Sequence, residues 1–417
     1  MTKGTAGNPD IRIPWAGRPI SLDEFEDQLA FLWKMSADNM RTGSNLYVRT
    51  SVLNLLICAP DIETARKASA LLRYLSTTHL ARVTILILDR STPIDALSAW
   101  VTLRCFSIIS DLMRHCFEQT TLLLSGSALR SAANIVRPLL KPDLPAYLWW
   151  IGEPASNDTV FKGLVEISNR VIIDTSTFLN PEEDLLALSS LMQSHQGIAI
   201  SDMNWERIMP WRQLVAQFFD TPELLPYLSG IHTIEIEHAV APLAIPLQSE
   251  RGEISPNPTS AFLLAGWLKG RLGLQRSFSE KEIRERESGH YRWQLERTLA
   301  VNPTALLSDM PRSGKKTQNT SLELIPRVYP ELRPGSPVRV TLKSKIESKA
   351  ATFTINREND TEHVLTTIEL SQETRPQRTV SLASNQEESD LLQTELEFTG
   401  RDYTFEETLR ELADLLG

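Results

Sequence analysis

The chain is poor in the residues on which most enzyme centres are built. Its 417 residues hold three cysteines and seven histidines. Cys58, Cys105 and Cys116 form neither a CxxC pair nor a zinc-type spacing. A sparse, odd cysteine count fits a reducing, cytoplasmic setting. The simplest reading makes all three buried small hydrophobes; a thiol switch between Cys105 and Cys116 is the alternative. His79, His115, His195, His232, His238, His290 and His363 are scattered, with no HxxxH or HExxH pattern. A GxSxG nucleophile elbow is missing, and no Ser/His/Asp set can be nominated. The expectation is therefore no catalytic residue, no metal and no cofactor.

Long apolar runs are missing too. Stretches such as Val83 to Leu88 fall far short of the roughly 20 residues that span a bilayer. No apolar h-region follows Met1 to Thr5, so no secretory signal is expected. A formal net charge of -9 argues against nucleic acid and against an anionic membrane surface as partners.

What is present is an ordinary globular composition, 41% hydrophobic and 23% charged, at a length that predicts two domains. Ser21, with Asp23 and Glu24 behind it, opens an N-terminal helix through Phe25, Leu29, Leu32 and Trp33. A βα rhythm follows. Val52–Cys58, Arg82–Leu88, Thr121–Leu124, Ala146–Ile151, Arg170–Asp174 and Ile198–Ser201 read as strands, with helical periodicities between most of them. That alternation predicts α/β architecture, a doubly wound, mainly parallel sheet of Rossmann-like type. Polar, proline-bearing 248–259 reads as a linker. From Ser336 four alternating runs predict an antiparallel sheet, followed by helices at Ser389–Phe398 and Thr404–Leu416. The expected organisation is an N-terminal helical extension over 1–50, the α/β domain over 51–247 and an α+β domain over 260–417.

A nucleotide-binding fold needs a phosphate loop, and none is visible. The turn after the first α/β strand reads Cys58-Ala59-Pro60-Asp61-Ile62-Glu63, with no glycine and two acids. Ser125-Gly126-Ser127 is the best remaining anion position. Gly314-Lys315-Lys316-Thr317 lacks the first glycine of a P-loop. Strand ends offer Asp174, Thr175, Ser176, Ser201 and Asp202 as candidate ligand-binding residues. Asp, Ser and Thr at these places also cap the helices that follow.

The segment Ser201-Asp202-Met203-Asn204-Trp205-Glu206-Arg207-Ile208-Met209-Pro210-Trp211-Arg212 concentrates Trp and Arg at a strand-to-helix junction. These residue types are enriched where proteins grip partners. Trp205, Arg207, Trp211 and Arg212 are thus candidate partner-binding residues. Arg207 and Trp211, four apart, can stack. The competing reading is that Ile208, Trp211, Leu214, Val215 and Phe218 face a core, with Pro210 kinking the helix or starting its second part. In Ala261–Gly273, Gly266 and Gly270 invite close helix packing.

With Leu144–Trp150 and with Glu388–Leu396 followed by Gly400-Arg401-Asp402, these two segments resemble the OpcA family, the glucose-6-phosphate dehydrogenase assembly proteins. The resemblance implies a non-catalytic protein that binds glucose-6-phosphate dehydrogenase, helps it assemble and raises its activity. It would thereby support the oxidative pentose phosphate pathway and NADPH supply, in cyanobacteria and actinobacteria. Redox control through cysteines goes with cyanobacterial members. No cysteine follows Cys116 here, so such a switch in the C-terminal domain is ruled out. The alternative is a sugar-phosphate- or nucleotide-binding enzyme, or a metabolite sensor, using the strand ends of the α/β domain.

Overall fold

A computed structural model describes residues 13–41, 46–49, 51–75, 81–107, 113–154, 158–240, 257–277, 282–298, 317–357, 361–371, 373–374, 377–382 and 387–417. The expected linker at 248–256 and the Gly314-Lys315-Lys316 stretch lie outside them. The chain divides into two units. Met1–Asp174, Met192–Met203 and Glu387–Asp402 form the first; Thr175–Leu191, Asn204–Gln386 and Tyr403–Gly417 form the second.

The first unit holds strands β1 (Arg18–Ile20), β2 (Leu46–Arg49), β3 (Leu53–Ala59), β4 (Ala81–Asp89), β5 (Ala96–Ser107), β6 (Met113–Ser125), β7 (Ala146–Trp150), β8 (Arg170–Ile173) and β9 (Ala199–Asp202). Their order is β1-β5-β6-β4-β3-β7-β8-β9, with β2 also on β6. From β6 to β9 every ladder is parallel, while β1, β5 and β6 pair antiparallel. Order reverses between β3 and β7, which makes the sheet doubly wound, as expected.

Every residue of β3 is buried, the mark of a strand covered on both faces. Helix α1 (Phe25–Arg41) is tied to this sheet: Trp33 Nε1 donates to Glu118 (2.8 Å), and Arg82 reaches Glu118 (3.3 Å) and Glu26 (3.0 Å). Helix α2 (Ile62–Leu75) lays Ala65, Ala68, Leu72 and Leu75 on the core. After β6 come two short helices, α3 (Ser127–Arg130) and α4 (Ala132–Val136), and α5 (Thr159–Glu166) follows β7.

Two expectations are corrected here. Cys105 and Cys116 face each other across β5 and β6 and form a disulfide, so only Cys58 is a free buried thiol; burial pushes that thiol up. Helix α10 (Glu388–Glu397), expected in the second domain, packs against α2 and adds Leu391, Leu392 and Leu396 to the first unit's core.

The second unit takes helices α6 (Pro181–Ser194, apart from its last turn), α7 (Met203–Arg207, after its first residue), α8 (Met209–Gln217), α9 (Thr259–Leu272) and α11 (Tyr403–Leu416). Its strands are β10 (Ile231–Val240), β11 (Gln275–Arg276), β12 (Ile283–Glu285), β13 (His290–Thr298), β14 (Thr317–Val328), β15 (Pro337–Ile346), β16 (Lys349–Arg357), β17 (His363–Leu370), β18 (Glu373–Thr374) and β19 (Arg378–Ser381). The order is β11-β13-β14-β10-β15-β16-β17-β18, with β12 on β13 and β19 on β17. The run His232–Glu237, which falls within the span expected for the α/β domain, lies inside this sheet, as part of β10. It pairs parallel with β14 and antiparallel with β15. Phe262 of α9 meets Tyr291 edge-on at 4.9 Å, and Tyr291 stacks on Trp293 at 5.7 Å.

Helices α9 and α11 pack closely through glycine. A Cβ on Gly266 would lie 2.6 Å from Leu412 Cγ and 2.9 Å from the Thr408 carbonyl oxygen. The Gly266→Ala variant is expected to lose about 1–3 kcal/mol through overpacking, read as a lower urea midpoint. The C-terminal end of α11 is closed by tertiary donors. Arg284 gives hydrogen bonds to the carbonyls of Leu415 (2.9 Å) and Leu416 (3.2 Å), and Trp293 Nε1 gives one to Leu415 (3.1 Å). These satisfy carbonyls that a helix end leaves open.

His238 in β10 is buried, with Nε2 2.8 Å from the Gly289 carbonyl oxygen. Burial holds its imidazole below the ordinary histidine value, and nearby His290 adds to this. The unfolded chain then takes up, near pH 6.5, a proton that the folded chain refuses. Stability is complete above that pH and falls by up to about 1.4 kcal/mol per pH unit below it, until the folded pKa is reached. Urea denaturation between pH 7.5 and 5.5 should show this acid-side slope, and His238→Asn should reduce it. Among the described residues no helix is long and apolar enough to cross a membrane.

Candidate functional site

The segment Ser201–Arg212 runs out of β9 and passes from the first unit to the second after Met203. Its helix is broken. Ile208 (φ -91°, ψ 1°) separates α7 from α8, and Pro210 sits in the first turn of α8, where its missing N–H costs nothing.

The break decides where the aromatic side chains go. Trp205 is 3% exposed and Trp211 1% exposed. Trp205 lies against Phe405 (5.6 Å), and the Arg212 guanidinium stacks over its ring at 3.5 Å while donating to the Trp205 carbonyl (3.2 Å). Arg357 lies over Trp211 at 5.6 Å. Ile208, Leu214, Val215 and Phe218 are buried, as the apolar periodicity predicts, and the outward positions of α8 are Gln213, Ala216 and Gln217. Both indoles therefore act as core anchors of the second unit.

Arg207, which the four-residue spacing directs to Trp211, reaches Ser176 Oγ (3.1 Å) and Asn204 Oδ1 (3.3 Å). Asn204 is fully buried; it donates to Thr175 Oγ1 (3.1 Å) and accepts from Ser260 Oγ (2.8 Å). Arg333 donates to Ser176 Oγ (2.8 Å), and Asn257 Nδ2 donates to the carbonyls of Ser176 and Phe178 (both 2.9 Å). The second unit thus gathers Thr175, Ser176, Asn204 and Arg207 into one braced polar cluster. Arg333, Asn257 and Ser260 belong to it and are not evident from sequence spacing. The Asn257-Pro258-Thr259 string was the available signal, since Asn257 Oδ1 accepts from Thr259 N (3.0 Å) at the start of α9.

In the first unit, Ser201 Oγ accepts from Arg170. Asp202 is 1% exposed and stands opposite Ile173, one residue from Asp174. Arg170 also donates to the Gly400 carbonyl and lies between the rings of Tyr147 (5.5 Å) and Phe398 (5.6 Å). Gly400 therefore serves as an acceptor for Arg170, while the residue that closes α10 is Phe398.

A cavity of about 90 Å³ in the second unit is lined by Pro181, Glu182, Glu183, Arg286 and Tyr291. Its groups are already engaged: the Tyr291 hydroxyl donates to Glu182 (2.9 Å), and Arg286 pairs with the same carboxylate at 3.0 Å. Burial pushes the Tyr291 hydroxyl up. Among the described residues no group of three or more His, Cys, Asp or Glu side chains is placed to hold a metal ion.

Fold and site define a two-unit α/β protein, with a dinucleotide-type sheet, no glycine-rich phosphate loop and polar strand ends braced by the chain's own side chains. The chain belongs to the OpcA family. Residues 73–190 match the glucose-6-phosphate dehydrogenase subunit N-terminal domain and 198–409 match the corresponding C-terminal domain. An OxPP cycle protein OpcA of Nostoc punctiforme is 32% identical over 201 residues, 47% of this chain and 40% of that protein. Its Synechocystis counterpart is 34% identical over 157 residues, 38% of this chain and 30% of its own length. The chain thus covers less than half the length of these curated relatives. A dehydrogenase structure from Chromobacterium violaceum covers 87% of this chain and 94% of its own at 12% identity and a TM-score of 0.41, too slight a likeness to bear on function.

Proposed function

We propose that this protein is a non-catalytic assembly factor and allosteric activator of glucose-6-phosphate dehydrogenase, acting in the cytoplasm and supporting NADPH supply through the oxidative pentose phosphate pathway. The match of 73–190 and 198–409 to the two subunit domains carries the reading. The engaged state of the candidate acids and bases supports it. Activation requires tighter binding to the active conformer of the enzyme than to the inactive one. The contact then falls on outward side chains such as Gln213 and Gln217, with Trp205, Arg207, Trp211 and Arg212 shaping the segment from beneath.

The test mixes the purified chain with the glucose-6-phosphate dehydrogenase of its host. Co-elution together with a lower KM or higher kcat is the expected result. Separate elution with unchanged kinetics sinks the proposal, and turnover of a sugar phosphate by the chain alone would favour the enzyme reading instead.

A further inference from the structure

The sheet of the first unit implies a cofactor that its residues do not fit. In a doubly wound sheet the dinucleotide lies across the carboxyl ends of the strands where the order reverses, with its phosphates on free backbone amides at helix N-termini. Here that place is the end of β3 beside the end of β7.

We infer that the chain's own carboxylates occupy the helix N-termini around this crevice, and that the crevice binds neither NAD nor NADP. Three βα junctions carry the inference. After β3 comes Pro60, which has no N–H to offer. Asp61 follows, accepting from Thr64 N (2.8 Å) and Thr64 Oγ1 (2.9 Å) at the start of α2. After β7, Asp158 accepts from Val160 N (2.8 Å) at the start of α5, and its other oxygen is ion-paired with Arg90. Arg90 directly follows β4, the neighbour of β3, where a dinucleotide sheet reads the ribose and where arginine can receive a 2′-phosphate. In this chain that arginine is committed to Asp158. After β6, Asp95 accepts from Ser127 N at 2.6 Å. Gly126 takes a left-handed conformation (φ 58°) that brings the backbone against Asp95, where a Cβ would come within 2.3 Å of Asp95 Oδ1. The Ser127 amide holds the Asp95 carboxyl below the usual carboxylate range. Ser125-Gly126-Ser127, the best anion position in the sequence, is thus already filled.

A phosphate entering here would have to displace carboxylates from their amides and lie beside like charge, which disfavours binding. The consequence reaches beyond assembly: the first unit cannot act by carrying or sensing the cofactor at this crevice. This does not depend on the partnership with the dehydrogenase, so either reading can fail while the other stands.

Hydrogen-deuterium exchange of the full chain, with and without 5 mM NADP+ or NAD+, tests it. Unchanged exchange over residues 59–65 and 158–164 is expected. Protection of either segment overturns the inference. A second arm uses Asp158→Asn, which keeps the cap shape and releases Arg90. Sodium sulfate at fixed ionic strength should then raise the Tm of the variant more than that of the parent chain. Equal sulfate responses would show that Asp158 does not stand in for an anion.

Discussion

Trp205→Ala should destabilise the second unit by about 3–5 kcal/mol, the range for removing a buried large aromatic side chain. The indole is 3% exposed and meets Phe405 on α11. It also carries the Arg212 guanidinium at 3.5 Å, a stack worth up to about 2 kcal/mol when desolvated. For a unit of this size the loss corresponds to a Tm lower by roughly 6–20 °C. Gln213→Ala and Gln217→Ala, on the exposed side of α8, should stay within about 0.5 kcal/mol of the parent. If the segment grips the dehydrogenase, these two substitutions weaken co-elution at unchanged Tm. A Trp205→Ala protein with the parental Tm and no complex would make the indole a contact residue after all.

This reverses the weight that composition alone gives the segment. Trp is common both in interface hot spots and in cores, so residue type does not separate the two. The apolar stripe Ile208, Trp211, Leu214, Val215 and Phe218 was legible because each half of the helix keeps its period. The stacking partner was not. An Arg207–Trp211 pair presumes one continuous helix, and the turn at Ile208 resets the phase, leaving Arg212 on Trp205. Pro210 signalled a break, but a proline cannot say where the next face will point.

The parallel sheet was readable for a different reason. Strands covered on both faces read as near-continuous apolar runs, and β3 and β7 do. The second sheet hides its central strands. β14 buries Thr320, Leu322 and Leu324, while Glu323 between them pairs with Arg292 of β13 at 2.7 Å. Such charge-bearing strands look like polar loops in sequence. β10 alternated clearly, yet alternation names a strand without naming its neighbours. Its ladders to β14 and β15 are long-range pairings that no local pattern encodes.

The same limit governs α10, and there the expected effect is largest. Its apolar stripe says that it packs, not on what. The structure puts Leu391, Leu392 and Leu396 among Leu55, Leu72, Leu75 and Phe117 in the core of the first unit. The returning segment is fastened further by Arg170, which donates to the Gly400 carbonyl, and by Arg401, which donates to the Gln196 carbonyl. Each buried leucine cut to alanine costs about 2–5 kcal/mol. The triple variant Leu391→Ala/Leu392→Ala/Leu396→Ala therefore forfeits roughly 6–15 kcal/mol, as much as a whole domain usually has. It should lose amide protection in β3 and β4, more than three hundred residues away along the chain although both strands keep their sequence. Hydrogen exchange read strand by strand decides the matter. Retained protection in β3 and β4 would show that α10 is an accessory of the first unit, and loss there would show that the unit is not complete until residues 388–397 have returned to it.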